Sequence, residues 1–124
     1  MSTTPVLGIP NIAGSQNQPE VTHNEALMMM EALVLGARTI GENTPTTSNA
    51  VGHVYIVGTA PTGAWAGKAN KLAIWTSGGW RFVPDVDDDG ADIPMDEQQA
   101  GLMKYVIAEG SVWIWNGIEW AELP

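Results

Sequence analysis

The feature that most restricts the fold of this chain is a tryptophan pattern that occurs twice without a gap. Leu72-Ala73-Ile74-Trp75, Trp80 and Val83-Pro84 return 40 residues later as Val112-Trp113-Ile114-Trp115, Trp120 and Leu123-Pro124. Each copy follows a Tyr-led apolar run, Tyr55-Ile56-Val57 and Tyr105-Val106-Ile107. Short runs rich in β-branched and aromatic residues, broken by Gly and Asn, read as strands joined by tight turns. Thr76-Ser77-Gly78-Gly79 and Asn116-Gly117-Ile118-Glu119 supply the turns of two hairpins. A four-residue connection sets Trp75 opposite Trp80 and Trp115 opposite Trp120. A two-residue turn at Asn116-Gly117 would instead pair Trp113 with Trp120. Two units fall short of the ~3 that a solenoid or propeller needs. With 14 Gly and 8 Pro in 124 residues, a helical bundle is excluded as well.

One helix is expected, at about residues 22–36. Thr22-His23-Asn24-Glu25 has the spacing of a capping box, and Gly36 is a natural stop. At ~100° per residue, Ala26, Met29 and Leu33 lie opposite Glu31 and would form a core-facing stripe. Leu27, Met28 and Leu35 fall on the side of Glu31, which a lone surface helix keeps polar. A helix apolar nearly all round needs cover on several sides. The economical arrangement packs copies of it around a symmetry axis, through Ala26, Leu27, Met29, Met30, Leu33 and Val34. The alternative buries the helix within its own β domain.

Residues 1–19 lack periodicity and carry three prolines. Val6, Leu7, Ile9 and Ile12 are too apolar for a plain linker, so an extended arm lying on a neighbouring subunit is preferred to a floppy terminus. Residues 37–51 read as a loop. The first basic residue is Arg38, so no charged start of a signal peptide is seen, and the apolar run 26–37 is shorter than the ~20 residues of a spanning helix. A protein made in a cytoplasm, with no membrane insertion, is expected.

The chain has no cysteine, and its net charge of −9 is the wrong sign for gripping nucleic acid. Seven acids and no base lie in residues 85–97, leaving −2 for the rest of the chain. Asp85, Asp87 and Asp89 followed by Gly90, with Asp96 at the twelfth position, match the carboxylate spacing of a calcium loop. No flanking helices are apparent and Asp92 stands where an apolar anchor is usual, so a solvated acidic loop is the competing reading. His23 and His53 fit no catalytic spacing, and no enzyme or organic cofactor is expected. The six Trp residues read first as core and cross-strand pairs, then as a saccharide platform or a subunit contact. Trp65, in a Gly-rich loop, is the one expected to be exposed or to anchor a partner.

The blocks Val21-Thr22-His23-Asn24-Glu25-Ala26-Leu27, Thr62-Gly63-Ala64-Trp65-Ala66-Gly67, Gly79-Trp80-Arg81-Phe82-Val83-Pro84 and Trp115-Asn116-Gly117 with Trp120 carry a resemblance. They resemble a domain-of-unknown-function family found in tail-fibre and spike proteins of phages, prophages and gene-transfer-agent particles. Pro19 stands where a Lys is common, and residues 85–100 look like an insertion. The resemblance implies a structural virion protein of a phage tail, a short fibre or spike component or an adaptor, and a homotrimer. It would meet other tail proteins through its arm and, in the alternative reading, a host surface glycan through its Trp-rich hairpins.

The expected fold is therefore mainly β with one N-terminal α-helix. It comprises an extended docking arm (1–19), an oligomerisation helix at a trimer axis (20–36) and a Trp-rich antiparallel β domain (37–124). That domain is built of two similar hairpin units, about 53–84 and 102–124, separated by the acidic loop 85–100.

Overall fold

A computed structural model of the chain describes residues 2–11, 18–46 and 50–124. In chain order the elements are β1 (Ser2–Thr3), β2 (Pro10–Asn11), α1 (Pro19–Val34), β3 (Ile40–Glu42), β4 (Val54–Val57), β5 (Leu72–Thr76), β6 (Gly79–Val83), β7 (Met103–Val106), β8 (Ser111–Trp115) and β9 (Trp120–Glu122). Single turns of 3-10 helix lie at Gly63–Trp65 and Glu97–Gln99. The fold is mainly β with one α-helix among the described residues, as expected. None of the described helices is long and apolar enough to cross a membrane.

The two Trp motifs form the backbone of two sheets. One has the order β3-β4-β5-β6 and the other β7-β8-β9. Within β4-β5-β6 and β7-β8-β9 all pairings are antiparallel. Trp75 stands opposite Trp80 and Trp115 opposite Trp120, with ring centroids 5.0 and 5.8 Å apart. The open register of the second hairpin is thereby decided for Trp115. Asn116 explains why: its Oδ1 accepts from the Ile118 and Glu119 amides at 2.8 and 2.9 Å, and its amide donates to the Glu119 carbonyl, closing the longer turn.

Residues 37–42 are not the plain loop expected. β3 adds to β4 in parallel, and the segment before it bridges Val106 in parallel. Ala37 donates to Tyr105 and its carbonyl accepts from Ile107, while Arg38 donates to Val54 and Thr39 accepts from Ile56. This strip therefore stitches the two sheets together. Gly36 makes the approach feasible, since a Cβ there would sit 2.7 Å from the Tyr105 carbonyl oxygen.

Alternation along β4 sets two cores. Val54 and Ile56 point into the cluster of Met29, Ala32, Leu72, Ile74, Val83 and Val106, between sheet and helix. Tyr55 and Val57 point the other way, into a second cluster with Trp65 and Ala73, flanked by Trp80 and Phe82. Both faces being covered, all four residues of β4 are buried.

Two expectations about the N-terminal region need correction. Residues 2–11 are not an extended arm free for a neighbour; they form the β1–β2 hairpin, docked on their own chain. Asp85 donates its amide to the Leu7 carbonyl, Gln99 donates its side-chain amide to the Val6 carbonyl, and Asp88 accepts from the Thr3 amide at 2.5 Å. Gly8, at φ +70°, lies so close that a Cβ would meet the Val86 carbonyl oxygen at 2.5 Å. Ile12 lies outside the described residues. The helix also begins at Pro19, not Thr22, behind a left-handed Gln18 that makes no side-chain cap. Proline suits the first helical turn because its missing N–H would have no partner there. Thr22 therefore lies inside the helix, and Glu25 is free to reach another element.

Candidate functional site

α1 turns one face to the core and the opposite face outward. Met29 and Ala32 are fully buried, while Leu27, Met30 and Val34 are 47, 42 and 82% exposed. The last three share an arc of about 60° at ~100° per residue. Ala26 and Leu33 lie half-buried at the flank. Of the six expected interface residues, Met29 must be withdrawn: it sits in the protomer's own core, with no surface to offer another chain. A second exposed apolar stripe, Met103, Tyr105 and Ile107, follows the alternation of β7, whose inward residues are Lys104 and Val106.

Trp65 also corrects the expectation. It is 0% exposed, held beneath Tyr55 and Trp80 with ring centroids at 6.2 and 5.1 Å. The 3-10 turn at Gly63–Trp65 folds the loop back on the sheet, so this indole fills a core and presents no face to a partner. Among the described residues its Nε1 has no hydrogen-bond partner.

The acidic segment performs separate structural tasks instead of converging. Asp85 accepts from Arg81 Nε at 3.2 Å. Asp87 Oδ1 accepts from the Asp89 and Ala91 amides, closing its own turn. Asp96 caps the 3-10 helix at Glu97–Gln99 in a reciprocal capping box with Gln99. Asp89 sits on the exposed turn between them. The four residues expected to bind calcium are thus not brought together. Among the described residues no group of three His, Cys, Asp or Glu side chains is placed to hold a metal ion.

The basic side chains are the residues that sequence reasoning missed. Lys71, almost wholly buried, donates to the Pro84 carbonyl at 2.9 Å and to Asp92 at 2.8 Å, and Lys68 joins the same carboxylate at 3.0 Å. Burial holds the Lys71 ammonium below its ordinary range, with Asp92 opposing. Burial would raise the Asp92 carboxyl, but the two lysines outweigh it and keep it below its ordinary value. Lys104, 2% exposed, donates to the carbonyls of Ala32 and Leu35. The helix has no basic residue in its last turn, so this strand lysine supplies the positive charge that a helix C-terminus favours. Burial lowers its pKa to about 8.

Arg81 stands at the floor of a groove of about 650 Å³ between α1 and β6. It pairs with Glu25 at 3.2 Å and with Asp85 at 3.2 Å. Val21, Asn24 and Met28 form the helical wall, and Trp80 and Phe82 contribute from the strand. His23 is exposed on α1, and His53 lines a separate depression with Arg38 and Tyr55. Neither histidine shares the groove with Arg81. A search of curated proteins found no match to the chain. Residues 23–121 match a family described as protein of unknown function, DUF2793, and because that span covers most of its length the chain belongs to this family.

Proposed function

We propose that this protein is a structural component of a phage tail, a short fibre or spike piece or an adaptor, that acts as a homotrimer assembled through the outer face of α1. The observation that carries the oligomeric reading is the exposed stripe of Leu27, Met30 and Val34, set opposite a face already filled by Met29 and Ala32. Contiguous apolar surface of this kind marks an interaction site. Three such helices meeting on an axis would cover the stripe, and Val34, the most exposed of the three, gains most from burial at ~25 cal/mol per Å². The assignment to a virion rests on the resemblance of the Val-Thr-His-Asn-Glu-Ala-Leu and Thr-Gly-Ala-Trp-Ala-Gly blocks to tail-fibre and spike proteins. Host glycan contact through Trp65 forms no part of the proposal, since that indole is buried.

Size-exclusion chromatography with light scattering tests the oligomer. The wild-type chain is expected at three times its 13.2 kDa mass. Met30→Glu, at a position that is exposed in the protomer, is expected to give a folded monomer with an unchanged circular-dichroism spectrum. A wild-type monomer, or a trimer indifferent to the charge at position 30, refutes the helix interface.

A further inference from the structure

We propose that the groove between α1 and β6 binds an extended, cationic peptide segment of a partner protein, which adds to β6 as a further strand. This inference stands apart from the trimer reading, because the groove lies on a different flank of α1 from the exposed stripe.

The argument begins at the sheet edge. β6 is the last strand of its sheet and, among the described residues, pairs with β5 alone. Trp75 directs its backbone away from β6: its amide donates to the His53 carbonyl at 3.1 Å and its carbonyl accepts from Gly52 at 2.8 Å. In an antiparallel pair this makes Trp75 and Trp80 a non-hydrogen-bonded pair, so the N–H and C=O of Trp80 point off the free edge. Phe82, two residues on and opposite Ala73, points the same way. Among the described residues no backbone hydrogen bond fills these groups. A row of unpaired donors and acceptors at an edge is a template for another strand.

Most edges face open solvent; this one faces a wall. Val21 and Met28 of α1 stand across from β6 and give the groove an apolar side, while its volume of about 650 Å³ accommodates a short run of chain. An extended peptide laid between a helix and an edge strand gains main-chain hydrogen bonds on one side and side-chain contacts on the other. Charge selects the occupant. Glu25 and Asp85 outnumber Arg81, leaving the groove negative within a chain of net charge −9. A segment alternating apolar residues with lysine or arginine is complementary to it.

The test uses the full-length protein and a panel of short acetylated, amidated peptides in which valine alternates with lysine, serine or glutamate. Amide exchange followed by NMR reads the site directly. The valine–lysine peptide is expected to bind most tightly and to slow exchange at the Trp80 and Phe82 amides. N-methylation along one edge of that peptide, which leaves its charge intact, is expected to weaken binding about tenfold through loss of two main-chain hydrogen bonds. Val21→Lys, at an exposed position, is expected to weaken it as well with no change in fold. The proposal is overturned if no peptide binds at millimolar concentration, if binding leaves those two amides unprotected, or if the N-methylated peptide binds as tightly. It is overturned equally if the valine–glutamate peptide matches the lysine one. Concentration-dependent protection without any peptide would assign the edge to a second copy of this chain and overturn it too.

Discussion

Lys104 makes the stability of this protein depend on pH in an unusual direction. Its ammonium lies in the protein interior, on the last carbonyls of α1, and burial moves its pKa from the ordinary 10.5 to about 8. In the unfolded chain the amine keeps its ordinary affinity for a proton. Between those two values the unfolded state therefore binds more protons than the folded one, and stability rises with pH. Below pH 8 the penalty for the buried charge is fully present; above about 10.5 it is gone. A shift of this size corresponds to a gain on the order of 3 kcal/mol across the window. Lys71, also lowered by burial, adds a contribution of the same sign, so the wild-type slope alone does not isolate Lys104. Urea unfolding followed by far-ultraviolet circular dichroism, at several pH values from 7 to 10.5, should be run on the wild type and on Lys104→Met. The difference in free energy between the two proteins is expected to move by about 3 kcal/mol in favour of the wild type as pH rises. At high pH the neutral amine still donates to the Ala32 and Leu35 carbonyls, which Met cannot do, so the mutant is the less stable protein there. A difference that stays constant over the window, or shrinks, refutes the reasoning.

Further expectations follow from the packing. Trp65→Ala empties the centre of the second core and is expected to cost ~3–5 kcal/mol in urea unfolding, with a cost below ~1 kcal/mol contradicting its placement. Asp92→Asn removes the carboxylate from the buried Lys71 and from Lys68; because Asp92 is partly exposed the expected loss is ~1–3 kcal/mol. Since the Asp92 carboxyl is held below its ordinary 3.8, its contribution is present above that pH and lost as pH falls through the folded value. Acid unfolding monitored by tryptophan fluorescence should therefore be shallower in the Asn variant, and equal acid sensitivity of the two proteins would contradict the pairing.

The strands that carry the repeated Trp motif were legible because their information is local. Two tryptophans flanking a polar turn mark a hairpin in the sequence itself, and the Trp75–Trp80 pair occurs as its spacing implies. The choice of Trp115 over Trp113 as the partner of Trp120 rests on the Asn116 turn and was left open by the sequence. Residues whose role depends on remote partners were not legible. Trp65 in a Gly-rich loop reads as exposed, and nothing within that loop reveals that Tyr55 and Trp80 close over it. Lys104 looks like a surface strand residue, yet its acceptors lie 69 and 72 positions away. The Thr22–Glu25 capping box was overridden by Pro19 at the first helical turn and by Arg81, which claims Glu25. β3 is three residues long with a central glycine and forms only because β4 offers an edge, so no sequence window could announce it. The acidic run showed its composition but not its division of labour among Arg81, Thr3, the lysines and the 3-10 cap.

The strip at residues 37–42 has a mechanical consequence. It emerges directly from the helix and runs alongside β4 and β7, hydrogen-bonded to each. A load on the helix along the direction of that strip reaches both neighbouring strands lengthwise, so the bonds on its two margins share the tension and must give way together. Peeling at a single edge would break them one after another. Tugging at the helix along that line therefore loads the strip in shear.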